Sequence, residues 1–264
     1  MEQEILGLLP DQYPWKEHFH YVPTIGSTNS QLKILASQGA PQGTVLVAGE
    51  QTGGRGRLGR SFHSPAGTGV YLSMLLRPNC TPDRLMHLTC AVADAMVTAV
   101  EKSAGFRPGI KWTNDLVYGK RKLGGILTEL GLGGGRLDYV IIGVGINCLQ
   151  GPDDFPPELR DMAASLSMIA GHPVSPARLA AEMMQALHTM SGTLLTGKEA
   201  MLRRYRQNCI TLGTEVSLVR GEEIRHGKAL DIDEAGGLVV EFAPGRVETV
   251  SSGEISVRGM YGYV

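Results

Sequence analysis

Gly53-Gly54-Arg55-Gly56-Arg57-Leu58-Gly59-Arg60 alternates glycine with guanidinium, four glycines and three arginines in one short run. Backbone without Cβ atoms can take positive φ and turn its N–H groups onto an anion, while the arginines add charge and forked donors. Such a loop handles phosphate or carboxylate. It is not a P-loop, which needs a Lys-Ser or Lys-Thr pair opening a helix, nor a dinucleotide fingerprint, because Ser61-Phe62-His63-Ser64-Pro65 promises no helix. A solvated Arg/Gly surface loop is the alternative, so other segments must decide.

Three further groups carry chemistry. Ser27-Thr28-Asn29 stands where a helix is expected to begin, where free N–H groups and the helix dipole favour polar or anionic ligand atoms; plain N-capping by Ser or Thr is the competing reading. Asn114, Asp115 and Lys122 are polar residues among apolar strand residues, and Asn147 follows another apolar run. If these converge on the Arg/Gly loop, one site holds guanidiniums, an ammonium, amides and a carboxylate suited to a magnesium ion bridging phosphates. Such a set fits nucleotidyl transfer, in which a substrate carboxylate attacks the α-phosphate of ATP. Catalysis there is mainly alignment and charge neutralisation. No Ser–His pair or reactive cysteine stands at nucleophile spacing.

The elements expected to position these residues follow from periodicity and punctuation. A first strand over residues 20–25 leads into a helix over 30–38, and Thr44-Val45-Leu46-Val47-Ala48 is a strand feeding the Arg/Gly loop. Residues 69–76 are a near-continuous apolar run, a strand covered on both faces. Thr81-Pro82 opens a helix to about Lys102 with a stripe of Leu85, Leu88, Val92, Met96 and Val100. Residues 110–118 and 122–130 read as two strands of a hairpin, with a third over 139–146, in one antiparallel sheet. Helices follow over 163–169, from Pro176 and from Lys198 to Asn208, with methionines as gap-filling core residues. From Leu212 the rhythm changes to short alternating strands over 215–219, 228–232, 238–242 and 247–251, which suggests a small β-barrel.

Length and composition set the frame. The 264 residues suffice for one large core and a second small domain, and 42% hydrophobic with 19% charged residues is ordinary for a soluble protein. A net charge of −1 supplies no global field for nucleic acid, so any anion site must be built locally. Thirty-five glycines point to tight turns and close ligand approach. Cys80, Cys90, Cys148 and Cys209 are far apart and lack zinc spacing, which suits a reducing cytoplasm. No signal-length or membrane-length apolar run is present.

Gly54 to Arg60, Lys111-Trp112-Thr113-Asn114-Asp115, Lys122-Leu123-Gly124-Gly125-Ile126-Leu127 and Gly143-Val144-Gly145-Ile146-Asn147 together resemble, in order and spacing, the signature blocks of biotin protein ligases. Ser252-Gly253-Glu254-Ile255-Ser256-Val257-Arg258 resembles the close of that family's C-terminal domain. The resemblance implies an α+β fold: a central mixed or antiparallel sheet with flanking helices, class II synthetase-like, over residues 1–211, and an SH3-like β-barrel over 212–264. It implies a two-step, AMP-forming reaction with MgATP and biotin, and a lysine of a biotin carboxyl carrier domain as acceptor.

Carried over by position, Ser27, Thr28, Asn29 and Gln51 hold the biotin head, and Arg55, Gly56 and Arg57 close over the carboxylate and phosphate. Lys122 is matched to a lysine that contacts the reacting carboxylate or phosphate, with Lys111 adding charge. Arg60, Asn114, Asp115 and Asn147 fall on the nucleotide side, the last two with magnesium, and Trp112 either stacks on adenine or fills the core.

Two small departures from the family pattern, Thr113 for proline and Gly124 for alanine, bear on rigidity more than on chemistry. About twenty residues before the first strand are too few for a winged helix-turn-helix, so no repressor role is expected. The rivals are a lipoyl or octanoyl ligase, which lacks the arginine-rich loop and the Lys-Trp-x-Asn-Asp block, and a non-catalytic biotin-binding regulator, which would need neither Arg57, Asp115 nor Lys122. An edge strand of the main sheet would offer pairing to a partner or a second subunit, as in a homodimer.

Overall fold

A computed structural model describes residues 1–134, 136–251 and 256–258. In chain order the elements are α1 (Glu2–Leu8), β1 (Phe19–Ile25), α2 (Thr28–Ser37), β2 (Val45–Gln51), β3 (Gly69–Leu76), α3 (Leu88–Ala104), β4 (Gly109–Lys111), β5 (Asp115–Tyr118), β6 (Arg121–Gly133), β7 (Arg136–Asn147), α4 (Leu166–Ala170), α5 (Pro176–Thr193), α6 (Lys198–Asn208), β8 (Glu215–Arg220), β9 (Glu223–Ile232), β10 (Leu238–Ala243), β11 (Arg246–Val250) and β12 (Ser256–Arg258).

The first seven strands form one mixed sheet in the order β1-β2-β3-β7-β6-β5-β4. Only β1 and β2 run parallel, joined across α2; every other neighbour is antiparallel. The side-chain period of two divides this sheet into two faces with different work. Val70, Leu72, Met74 and Leu76 of β3 and Val140, Ile142, Val144 and Ile146 of β7 enter the main core, which α3 and α5 cover. Tyr71, Ser73 and Leu75 point the other way, in register with Gly145, Gly143 and Ile141. On that second face Leu32 and Ala36 of α2 close a small core with Leu46, Leu75 and Ile141. α2 reaches only part of the second face. The rest, floored by Gly143 and Gly145, lies open beside the N-terminus of α2 and becomes the cleft described below.

Several sequence-based expectations need correction. The helix expected from Pro82 begins as a single 3-10 turn, Pro82–Leu85, and α3 proper starts at Leu88. Residues 110–118 are not one strand: β4 and β5 pair with each other antiparallel, Lys111 opposite Asp115, so Trp112-Thr113-Asn114 is a turn, with a cis peptide between Trp112 and Thr113. The polar residues of this stretch therefore sit at a corner, where they can leave the sheet plane. The short helix expected from Ala163 starts at Leu166, capped by Ser165 through Met168 N–H, and β9 starts earlier than expected, at Glu223.

The C-terminal strands form a separate antiparallel sheet in the order β11-β10-β9-β8-β12. β11 and β12 are its two ends, so pairing does not close the ring among the described residues. Val216, Leu218, Ala229, Ile232, Leu238 and Val240 are continuous with the main buried cluster, and Arg206 of α6 donates to the Ile232 carbonyl and Asp231 carboxylate. Of the expected C-terminal block, residues 252–255 lie outside the described residues, as do 259–264.

Candidate active site

The Arg/Gly run is a narrow hairpin leaving β2. Gly56 N–H donates to Arg60 O at 2.7 Å and Phe62 N–H to Gly54 O at 2.9 Å, with Leu58 and Gly59 at the tip in the left-handed region. Gly54 is required by close approach: a Cβ there would meet Phe62 O at 2.3 Å. The hairpin lays Phe62 over Gly145, where a Cβ would lie 2.6 Å from the ring. Glycine thus does two jobs, forming the hairpin and leaving space in the sheet beneath it.

One cleft gathers most of the singled-out residues. Ser27, Thr28, Asn29, Gln51, Arg55, Gly56, Arg57, Arg60, Lys111, Trp112, Asn114, Asp115 and Lys122 all line it. At one end, Ser27 stands at the N-cap of α2, yet its side chain makes no capping hydrogen bond. Gln51 does the capping instead: its Oε1 accepts from Thr28 N at 2.9 Å and Thr28 Oγ1 at 3.0 Å, and its Nε2 donates to Ser64 Oγ. The plain N-capping reading for Ser27 therefore fails.

At the other end a continuous polar chain crosses three elements. Arg57 donates to Asn114 Oδ1 at 2.9 Å, Asn114 Nδ2 donates to Asp115 Oδ1 at 3.0 Å, and Lys122 Nζ pairs with the same Asp115 oxygen at 2.7 Å. Asn114 Nδ2 also reaches Ile126 O, so the corner between β4 and β5 is tied to β6. Burial pulls the Arg57 guanidinium below its ordinary pKa, and the nearby Asp115 carboxylate opposes that shift. A partly desolvated cation tied to an amide, with one carboxylate nearby, and lining a cleft is suited to receive an anion.

Trp112 is buried in the main core, and its indole N–H donates to Gly236 O of the β9–β10 turn, while its edge borders the cleft. Asn147 is not brought to the cleft. β7 ends there, and the Asn147 amide is taken up by the connection that follows, donating to Ala164 O and accepting from Gln150. Asp115 is the one acidic residue lining the cleft among the described residues, and no cluster of three or more His, Cys, Asp or Glu suited to a metal occurs among them.

Several lining or supporting residues were given no individual role by sequence reasoning, although four of them stand in the quoted blocks: Phe62, Ser73, Gly125, Leu127, Glu129, Gly143 and Gly145. For all but Phe62, which lies on the Arg/Gly hairpin, the signal was the two-residue phase of β3, β6 and β7. Gly125, Leu127 and Glu129 stand in register with Gly145, Gly143 and Ile141, on the face that the core does not use.

Residues 21–147 match the model of the biotin/lipoate A/B protein ligase family, and residues 211–258 match the biotin protein ligase C terminal domain. The chain is 36% identical to the bifunctional ligase/repressor BirA of Bacillus subtilis, over 91% of this chain and 74% of that protein. It is 31% identical to the biotin–[acetyl-CoA-carboxylase] ligase of Mycobacterium tuberculosis, over 91% of this chain and 89% of that one. Among solved structures it resembles the Aquifex aeolicus biotin protein ligase in complex with biotin and ATP, with a TM-score of 0.77, 30% identity, and 91% and 98% of the two chains covered. Likeness over this length, carried by the sheet that forms the cleft as well as by the C-terminal strands, shows that the chain belongs to the biotin protein ligase family.

Proposed function

We propose that this chain activates biotin with ATP to biotinyl-5′-AMP and then passes biotin to one lysine of a biotin carboxyl carrier domain, releasing AMP. The observation that carries the proposal is the cleft itself, with preset polar groups of α2 and β2 at one end and the chain from Arg57 through Asn114 and Asp115 to Lys122 at the other.

In the first step a biotin carboxylate oxygen forms a bond to the α-phosphorus while the bond to the bridging oxygen breaks, and pyrophosphate leaves. Arg57 and Lys122 hold the carboxylate and α-phosphate together and neutralise the charge that grows on the phosphoryl oxygens. Lys111, Arg55 and Arg60 add positive charge around them. Ser27, Thr28, Asn29 and Gln51 bind the ring system and so set where the carboxylate ends. Asp115, the one acidic residue lining the cleft among the described residues, would hold a magnesium ion, which would draw charge from the phosphates. In the second step the neutral ε-amine of the carrier lysine attacks the acyl carbon, AMP departs with the bonding pair, and the amine loses its proton to solvent or to AMP. The Arg/Gly hairpin over the cleft excludes water from the anhydride until then.

The same reading divides the chain into a catalytic part over residues 1–211 and an SH3-like part over 212–264. It places the reaction in the cytoplasm, without nucleic acid or membrane, and leaves the sheet edge for the carrier or a second subunit; no described helix is long and apolar enough to cross a membrane. The test is mass spectrometry of a purified carrier domain incubated with the protein, MgATP and either biotin or lipoate. Biotin on a single lysine, and no lipoate, is the expected result. Transfer of lipoate would overturn the assignment of the ring-binding residues, and no transfer at all would overturn the proposal.

A further inference from the structure

Glu129 lies on β6 behind the cleft, its side chain 16% exposed, and it is the hub of a polar cluster with Asn29, Lys33 and Arg55; the reaction above gives Glu129 and Lys33 no part. Its Oε2 accepts from Asn29 Nδ2 at 2.8 Å, its Oε1 from Lys33 Nζ at 2.5 Å, and Arg55 stands 3.2 Å from Oε1 and 3.4 Å from Oε2. Burial acts to raise the pKa of this carboxyl, but the hydrogen bonds from Lys33 and Asn29 and the Arg55 charge outweigh it and leave the group below its usual range.

The partners of Asn29 determine which end of its amide a ligand meets. Asn29 Nδ2 has two hydrogens, and both are spent on pure acceptors: the Glu129 carboxylate and the Leu127 carbonyl, the latter at 3.3 Å. Neither partner can donate, so the amide cannot be reversed in place. Asn29 Oδ1 accepts from Ser73 Oγ at 2.6 Å and keeps one lone pair. Gly143 leaves the space this orientation needs, since a Cβ there would stand 2.1 Å from Oδ1. Toward the cleft, then, Asn29 offers an acceptor and no donor.

We propose that Glu129 is a positioning residue that fixes the Asn29 amide with its oxygen toward the ligand, so that this part of the cleft selects a ring N–H donor. Resting on the reading above, that donor is a ureido N–H of biotin, and a ring without N–H leaves Oδ1 unpaired.

Lys33 makes the proposal sharply testable. In Glu129→Gln the new amide must place one oxygen and one NH2 where two oxygens were. An ammonium cannot accept, so the oxygen of the introduced amide turns to Lys33 and its NH2 faces Asn29. Asn29 then reverses to accept from that NH2, giving up its longer bond to the Leu127 carbonyl, and presents NH2 to the ureido N–H, donor against donor. The measurement is biotin affinity by titration calorimetry, with KM and kcat for adenylate formation, on the full chain. Glu129→Gln is expected to weaken biotin binding and raise its KM roughly tenfold, with kcat at saturating biotin within about threefold.

Lys33→Met alone should leave biotin affinity within about twofold, because the carboxylate still accepts from Asn29. Added to Glu129→Gln it should restore most of the loss, because the oxygen of the introduced amide is then free to turn to Asn29. In an Asn29→Ala background Glu129→Gln should cost nothing further. Independent, additive losses, a loss in Lys33→Met equal to that in Glu129→Gln, or absence of rescue would overturn the inference. If the wild type bound no biotin, the functional proposal would fail instead, and the two failures are distinct.

Discussion

Lys122→Met separates the chemistry of the cleft from its architecture. Methionine keeps most of the length of the stem and removes the ammonium that sits 2.7 Å from Asp115 Oδ1. The pair is part-buried, with side-chain exposures of 30% and 17%, so its Coulomb energy is screened, and Asp115 keeps its hydrogen bond from Asn114. Losing the ion pair should therefore cost about 1 kcal/mol of stability, or roughly 2–4 °C in Tm for a chain of this size. If Lys122 stabilises charge that grows between the biotin carboxylate and the α-phosphate, its removal should lower kcat by roughly 10²–10³, about 2.7–4 kcal/mol of barrier. The assay is biotin-dependent exchange of labelled pyrophosphate into ATP, run beside a thermal melt. A fall in kcat of less than tenfold would refute the role given to Lys122. A Tm loss above about 10 °C would show that the pair is chiefly structural.

Arg57→Gly removes the guanidinium that reaches Asn114 and should let the adenylate escape, so that bystander lysines become biotinylated; unchanged acceptor selectivity in a mixed-protein labelling assay would count against retention by the hairpin. Gly124→Ala restores the residue frequent in the family, yet here a Cβ would stand 2.6 Å from Gly145 O and 3.0 Å from the Ile146 side chain. It should destabilise by about 1–3 kcal/mol, read as a lower urea midpoint; an unchanged midpoint would mean that β6 and β7 can separate freely. Glu129 has a folded pKa depressed below 4.5, so its stabilising contribution is present above the unfolded value and is lost as pH falls through the folded one. The stability gap between wild type and Glu129→Gln should therefore shrink as pH falls below 4.5, and urea midpoints at several pH values would reveal a gap that failed to do so.

What the sequence determined by itself is chemistry carried on short local stretches. Glycines next to arginines, Asn-Asp beside a lysine one hairpin away and a polar triplet at a helix start are constraints on neighbouring residues; they identified the family and carry the proposal of an anion-handling loop with adenylation chemistry. Strand β3, buried along its whole length, was legible for the same reason, since its cause is its own residues. Three features belong to the tertiary structure alone. The 110–118 stretch folds into two strands because its partner is itself: Lys111 pairs with Asp115, a choice periodicity cannot distinguish from one long strand. Asn147 shares its parity with Gly143 and Gly145, yet β7 ends there and the next segment captures its amide, so a residue in the right block stands outside the cleft. Asn29, Ser73 and Glu129 lie on α2, β3 and β6 and become one network only when register stacks those strands beneath the start of α2. The physical reason is common to all three: residue type and local spacing specify what a group can do, whereas hydrogen-bond partners distant in the chain decide where it points.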